Sequence, residues 1–314
     1  MAIGRVEPKL YRSCNSITMS HPFVVPDRPL TWLITGCSSG FGLALTRLAQ
    51  KQGHTVISTS RNPQKTPDLV REVQDGGGRW LPLDVDDLNS GDLITDLEKA
   101  GTLIDVLVNN AGWSIHGPAE GFTEEETRAQ MDTVFFGPYR LMRAVAPLMR
   151  ERGSGVIVNI SSGAGLEERE SMGVYAAAKA AMDGVSKVLA KEMAPFGVRV
   201  LTVALGSFDT NMGPTVRLAS KPTPSDYDGS ALDAVFKVMA ASATEGFPAD
   251  GDHVKAAKVI YEVITGTGVG EGKEGERMLP LGRDMAKRVD DVVGGWQRTM
   301  GVFGDVCNNV YLEK

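Results

Sequence analysis

Tyr175 and Lys179 stand four residues apart in a stretch with helical spacing, 175–193. That interval puts two side chains on one helix face, one turn apart. An ammonium beside a phenol favours the phenolate and lowers the tyrosine pKa from ~10. A tyrosine tuned in this way can exchange a proton with a substrate oxygen near neutral pH. Taken alone, such a pair is usually surface decoration. Ser162 changes the weighting, because it lies thirteen residues before Tyr175 and ends an apolar, strand-like run. The carboxyl ends of parallel strands are where doubly wound sheets place ligands. A hydroxyl there could hold an oxygen as charge develops on it. Ser161 is the competing serine.

A second group of residues suits a phosphate. Thr35-Gly36-Cys37-Ser38-Ser39-Gly40-Phe41-Gly42 follows the apolar run 30–35 and precedes Leu43, Leu45, Leu48 and Ala49 at helical spacing. Glycines there permit positive φ and close approach of a pyrophosphate, and a helix N-terminus offers free N–H groups to the anion. A lone glycine turn is weak; one between a strand and a helix is stronger. The next strand ends Ser58-Thr59-Ser60-Arg61-Asn62, with no acid to hold an adenosine ribose 2′-hydroxyl. An arginine fork such as Arg61 pairs with a 2′-phosphate instead, and Ser60 could add a hydrogen bond. The bland alternative for Arg61 is a solvated loop residue.

The elements that must position these groups alternate. Strand-like runs recur at 30–35, 55–59, 80–83, 106–108, 156–160 and 198–204, and long helical patterns at 124–149 and 175–193. Alternation with continuous apolar strands predicts an α/β fold: one Rossmann-like doubly wound parallel sheet with helices on both faces. Beyond Gly213 the chain turns polar and punctuated, then resumes a helix pattern at 254–264 and a short strand at 278–281. Residues 1–29 read as a flexible N-terminal extension and 30–314 as the domain. Within it, 213–253 is the expected substrate lid, where Met239 and Phe247 could line a pocket, and 254–314 the C-terminal part.

Composition excludes several classes. Of 314 residues, 42% are hydrophobic and 23% charged, which is ordinary for a folded protein and rules out wholesale disorder. A net charge of −6 argues against a nucleic-acid partner held by a basic face. No apolar run reaches the ~18 residues of a membrane span. Arg5, Lys9 and Arg12 accompany no apolar core, so the N-terminus is not a secretory signal, and Met19 is an alternative start. Cys14, Cys37 and Cys307 lack metal-ligand spacing and fit a reducing, cytoplasmic setting.

The glycine turn has the spacing TGxxxGxG. Downstream stand Asn109-Asn110-Ala111-Gly112, Ser161-Ser162, Tyr175-Ala176-Ala177-Ala178-Lys179, and Val203-Ala204-Leu205-Gly206 followed by Thr210. In this order, over residues 30–212, they resemble the TGxxxGxG, NNAG, YxxxK and VxPGxxxT elements of the short-chain dehydrogenase/reductase family. The detail of the first and last is most similar to its retinol- and hydroxysteroid-dehydrogenase-like branch. The resemblance implies an NADPH-dependent carbonyl reductase or alcohol dehydrogenase. Tyr175 would be general acid/base, Ser162 would position the substrate oxygen, with thirteen-residue spacing favouring it over Ser161, and Lys179 would tune Tyr175 and bind the nicotinamide ribose. Gly36, Ser38, Ser39, Gly40, Phe41, Gly42, Ser60 and Arg61 would surround the phosphates, and Asp84 the adenine amine unless it merely forms a turn. Asn110, Ala111 and Gly112 should line the cofactor trough, with Gly206 and Thr210 at the carboxamide. No metal is implied. A homo-oligomer, dimer or tetramer, is. Leu141, Val145, Leu148, Val185, Val188 and Leu189 would supply a helical interface or else pack on the sheet.

Two positions depart from the family pattern. Val134 stands where an asparagine usually completes the catalytic set, and Leu205 replaces a proline, which should loosen the carboxamide-binding segment. Val134 keeps two rival readings open: a related protein with a non-redox role, cyclisation or elimination, or a cofactor-binding sensor or scaffold. Between Ser162 and Tyr175, Glu167-Glu168-Arg169-Glu170 is either a solvated rim or a polar substrate contact. Trp113 and His116 could also face substrate.

Overall fold

The structure is a computed structural model describing residues 24–210, 216–245, 249–307 and 309–312. Most of residues 1–29, with Cys14 and Met19, and Phe247 therefore lie outside the described residues. Seven parallel strands form the central sheet: β1 Thr31–Ile34, β2 Thr55–Ser60, β3 Arg79–Pro82, β4 Val106–Asn109, β5 Gly155–Ser162, β6 Val198–Leu205 and β7 Met278–Leu281. Their order is β7-β6-β5-β4-β1-β2-β3. The order reverses between β1 and β4, and such a switch point opens a crevice at the carboxyl ends of the strands.

Alternation along each strand feeds two cores. Trp32 and Ile34 of β1 face one apolar cluster with Leu45, Val108 and Ile260. Leu33 faces the other, with Leu107, Leu141 and Val145. Helices α1 Gly40–Lys51, α2 Pro67–Asp75 and α8 His253–Thr265 pack into the first cluster and α3 Asp92–Lys99, α5 Gly137–Arg152 and α6 Gly173–Met193 into the second, while α4 Glu124–Met131, α7 Ala231–Glu245 and α9 Met285–Cys307 lie outside both. Leu141 and Val145 are fully buried against the sheet, so of the expected interface stripe only Val188 is widely exposed.

The single helix expected over 124–149 is instead three pieces. A π-helical turn, Asp132–Phe136, separates α4 from α5. Pro138 has no N–H and so cannot donate the α-helical bond to the Val134 carbonyl. Gly137 packs so tightly on Val85 that a β-carbon there would lie 2.8 Å from its carbonyl oxygen. The stretch 213–253 contains α7 and is tied at both ends: Arg217–Leu218 pairs with Ile115–His116, and Gly251–Asp252 with Phe208–Asp209. α9, which the periodicity did not single out, follows β7 and buries only Met285.

Candidate active site

The glycine turn is shaped by contacts that leave no room for side chains. Gly36 (φ +71°) lies against Ala111, whose Cα would be 2.8 Å from an added β-carbon. Gly42 is closed in by the Gly36 carbonyl and by Asn110 Nδ2, at 2.5 and 2.6 Å from such an atom. Asn110 Nδ2 donates to the Thr35 and Gly36 carbonyl oxygens at 2.8 and 3.1 Å, and the Asn110 and Ala111 amides donate to Thr35 Oγ1 at 2.9 and 3.0 Å. The β4 loop is thus stapled to the turn, and Asn110 spends its side-chain donors on that staple. Ser39 caps α1 in extended backbone, Ser38 is exposed, and Phe41 is buried edge-on to Phe208. Gly40 (φ +55°) faces Thr210, bringing the segment after β6 to the turn.

At the far side of the cleft Arg61 is exposed just beyond β2. Its charge offsets part of the burial that raises the Asp86 carboxyl. Ser60 is buried, and its Oγ accepts from Trp80 Nε1 at 3.0 Å, which leaves its O–H to donate elsewhere. Asp84 accepts from the Asp86 amide at 3.1 Å, a local turn on an exposed residue.

Ser162 ends β5 opposite Leu205 of β6, and its Oγ accepts from the Ala164 amide at 3.2 Å. Leu205 is buried and also pairs with Leu281, while the Gly206 amide donates to the Leu281 carbonyl at 2.7 Å. The ladder therefore holds this segment where the missing proline suggested loosening. Ser161, one residue earlier, is buried and faces Asp183 of α6, whose carboxylate its hydroxyl favours.

The expectation that Lys179 lowers the Tyr175 pKa does not hold in this structure. Burial pushes the phenol up to about 12, opposed by the neighbouring Ser162 hydroxyl. The Lys179 ammonium sits 5.8 Å from the Tyr175 ring centroid and donates to the Ile160 carbonyl at 2.6 Å. Burial brings Lys179 itself down to about 8, against the pull of Asp183. The low dielectric around both groups disfavours their charged forms, and the Asp183 carboxylate adds to the rise at Tyr175.

Val134 packs with Ala164, Tyr175 and Ala178 in a small apolar cluster, so the departure from asparagine makes the wall behind the phenol apolar. Asp183, one turn beyond Lys179 on α6, was missed by the sequence reading. It is 2% exposed, and burial raises its pKa against the Ser161 hydroxyl and the Lys179 and Lys187 charges. Its i,i+4 interval from Lys179 was available as a signal.

Polar contacts tie the loop before α6 to the segment after Gly112. Ser171, at φ 70°, exchanges a 2.8 Å hydrogen bond with His116 Nδ1, and its carbonyl accepts from the Gly117 amide at 2.9 Å. Burial and the nearby Arg169 charge bring His116 down to about 4. Trp113 donates to Thr133 Oγ1 at 2.9 Å and carries the Arg217 guanidinium 4.2 Å from its ring centroid. Glu167 is neither solvated rim nor a free substrate contact: Arg288 of α9 holds it at 2.8 Å and Asp284 at 2.6 Å. Glu168, Arg169 and Glu170 are exposed. Among the described residues no cluster of metal-ligating side chains occurs, and no helix is long and apolar enough to cross a membrane.

A doubly wound parallel sheet with this glycine turn at its switch point, and with Ser162, Tyr175 and Lys179 gathered at the strand ends, defines a Rossmann-fold oxidoreductase. The family model described as short chain dehydrogenase matches residues 31–221, and the chain belongs to that family. It is 38% identical over 219 residues to oxidoreductase claN of Passalora fulva, covering 68% of this chain and 98% of the relative. It is 35% identical to retinol dehydrogenase 8 of Bos taurus over 67% of this chain and 64% of the relative, in keeping with the retinol-dehydrogenase-like branch. A short-chain dehydrogenase from Streptomyces avermitilis superposes with TM-score 0.79 at 32% identity, over 91% of this chain and all of that one. A metagenomic short-chain oxidoreductase in complex with NADP matches at TM-score 0.54 and 32% identity, over 57% of this chain and 82% of that one.

Proposed function

We propose that the protein is an NADPH-dependent carbonyl reductase or alcohol dehydrogenase acting on a small ketone, aldehyde or alcohol, with Tyr175 as the proton donor. The observation that carries this reading is the buried Tyr175 hydroxyl beside Ser162 at the carboxyl end of β5, with Lys179 one turn further on α6 and anchored to the same strand. A phenol is protonated at neutral pH and can donate to a carbonyl oxygen that becomes an alkoxide; in the reverse reaction the same group takes the proton back.

The residues fit a dinucleotide. The cradle at Gly36 and Gly42 admits backbone approach and no side chain, and α1 opens there with free amides. Ser38, Ser39, Gly40 and Phe41 would hold the pyrophosphate side, with Asp84 at the adenine and Ala111, Gly112, Gly206 and Thr210 along the nicotinamide half. Arg61, with Ser60 donating beside it, would pair with a 2′-phosphate, and no acid at the end of β2 opposes this. The NADP complex of the metagenomic relative supports the same preference. NADPH supplies the hydride when bound. Ser162 would orient the substrate oxygen towards Tyr175, and Lys179 would hold the nicotinamide ribose with its remaining donors. The stretch 213–253 would act as the lid over the substrate.

The test is NADPH oxidation against a panel of ketones and aldehydes, with wild type and Tyr175→Phe. We expect turnover by wild type, a loss of ~10²–10⁴-fold in the variant, and unchanged NADPH binding in both. Tight NADPH binding without oxidation across the panel would hand the protein to the non-redox readings.

A further inference from the structure

The segments that leave the carboxyl ends of β5, β6 and β7 converge on one ion-paired cluster. Arg288, in the first turn of α9, places its guanidinium 2.8 Å from a Glu167 carboxylate oxygen and 2.6 Å from one of Asp284. Glu167 lies in the loop that follows Ser162. Asp284 lies just beyond β7, and its carboxylate accepts from the amide and the hydroxyl of Ser207, both at 3.4 Å, in the segment after β6. The approach is close on both sides. A β-carbon at Gly163 would lie 2.6 Å from Arg288 Nη1 and 2.9 Å from Met285 Sδ, and Gly206 leaves no room for a side chain against Asp284. The Arg288 and Glu167 side chains are only 12% and 19% exposed, so the pair is largely shielded from the solvent screening that weakens surface ion pairs.

These contacts touch the site from behind. Gly163 directly follows Ser162, and Gly206 opens the segment expected at the nicotinamide carboxamide. One planar fork therefore bridges the loop that carries the substrate-orienting hydroxyl and the segment beside the reactive end of the cofactor. An ammonium in its place is a point donor and does not reproduce the fork. Asp284 and Arg288 both lie beyond residue 221, where the family match ends, so the C-terminal part of this chain supplies the bridge.

We propose that Arg288 is a positioning residue for hydride transfer: by bridging Glu167 and Asp284 it holds Ser162 in register with the segment 206–210. The proposal rests on the reductase reading of the site. A displacement of about 1 Å far from the chemistry can cost ~10²-fold in rate. The bridge acts on the reaction more than on cofactor affinity, because the glycine turn and Arg61, expected at the phosphates, lie at the ends of β1 and β2 and do not touch it.

Steady-state NADPH oxidation with one carbonyl substrate and amide hydrogen exchange, on full-length wild type, Arg288→Ala and Arg288→Lys, test the bridge. Arg288→Ala is expected to lower kcat by ~10–100-fold, with the carbonyl KM and the NADPH dissociation constant unchanged. Amide exchange should quicken in both 163–168 and 206–210. Arg288→Lys keeps a cation between the two acids, so it should melt with wild type and recover only part of kcat. A wild-type kcat in Arg288→Ala overturns the proposal, as does a loss confined to NADPH affinity or to melting temperature. Exchange that quickens in α9 alone also overturns it. Full recovery of kcat by lysine would assign the effect to charge and overturn the bridge. If wild type itself oxidises no NADPH, the reductase reading falls and takes the kinetic claim with it; an active wild type beside an equally active Arg288→Ala leaves that reading standing and removes the bridge alone.

Discussion

The Lys179 ammonium donates to the Ile160 carbonyl at 2.6 Å, two residues before Ser162 on the same strand. The lysine is thereby anchored to β5, and its remaining donors are the ones available to a ribose or a water. Lys179→Ala removes the anchored charge and leaves Asp183 buried without its nearest cation. It is expected to cut turnover by ~10²–10⁴-fold, in the range of acid–base relays, and to weaken NADPH binding. Stopped-flow NADPH oxidation and cofactor titration check both effects.

Val134 is the contrasting case. Its backbone carbonyl has lost the α-helical donor because residue 138 is proline, and this holds whichever side chain stands at 134. Val134→Asn is expected to keep or raise turnover with the same carbonyl substrate. A fall as large as that of Lys179→Ala would contradict the idea that the backbone, not the side chain, matters there.

Arg61→Asp should shift preference from NADPH towards NADH. The change removes the 2′-phosphate partner and adds a repulsive carboxylate. Charge-assisted contacts contribute ~1.5–3 kcal/mol, so the ratio of the two dissociation constants should move by roughly one to two decades. A wild type that already prefers NADH would remove Arg61 from the site.

His116 makes acid a specific stress. Its folded pKa is about 4 against the ordinary 6.5, so the unfolded chain takes up the proton first as pH falls. Stability from this group is intact above pH 6.5 and is lost progressively between 6.5 and 4, by an amount on the order of 3 kcal/mol at the lower end. Denaturant melts at pH 7 and pH 4.5 should therefore show a larger acid loss for wild type than for His116→Gln, which has no such proton to gain. Equal losses would mean that His116 is not held neutral.

Gly42→Ala tests the cradle. The new methyl group meets the Gly36 carbonyl and the Asn110 amide at once, and neither can withdraw without breaking the staple between the turn and the β4 loop. A cost of ~1–3 kcal/mol in stability is expected, together with a large loss of NADPH affinity. Calorimetry and fluorescence titration read the two separately.

Much of this was legible in the residues. Continuous apolar runs fixed six strands to within a residue or two, because a strand covered on both faces has no alternative to being apolar throughout. The glycine turn, Ser162 and the Tyr175–Lys179 pair were readable because each depends on local spacing: a strand end, a turn, one helical repeat. The break between α4 and α5 was hidden, although Pro138 was in view, because proline is tolerated in the first turn of a helix and helical residue types continue on both sides of the π turn.

What the sequence determined by itself was the parallel sheet, the order of its elements and the identity of the groups at its carboxyl edge. Only the tertiary structure decided their electrostatics and their partners. Tyr175 and Lys179 share a helix face in any reading, but their pKa values follow from how deeply α6 is buried, and that pushes the phenol up and the ammonium down. Glu167 could not be assigned until Arg288, more than a hundred residues later, was brought against it. Leu141 and Val145 had an apolar stripe that fitted either a sheet or a partner, and packing gave them to the sheet. Periodicity states that a face must be covered; what covers it is a long-range fact, set by the closure of the whole chain.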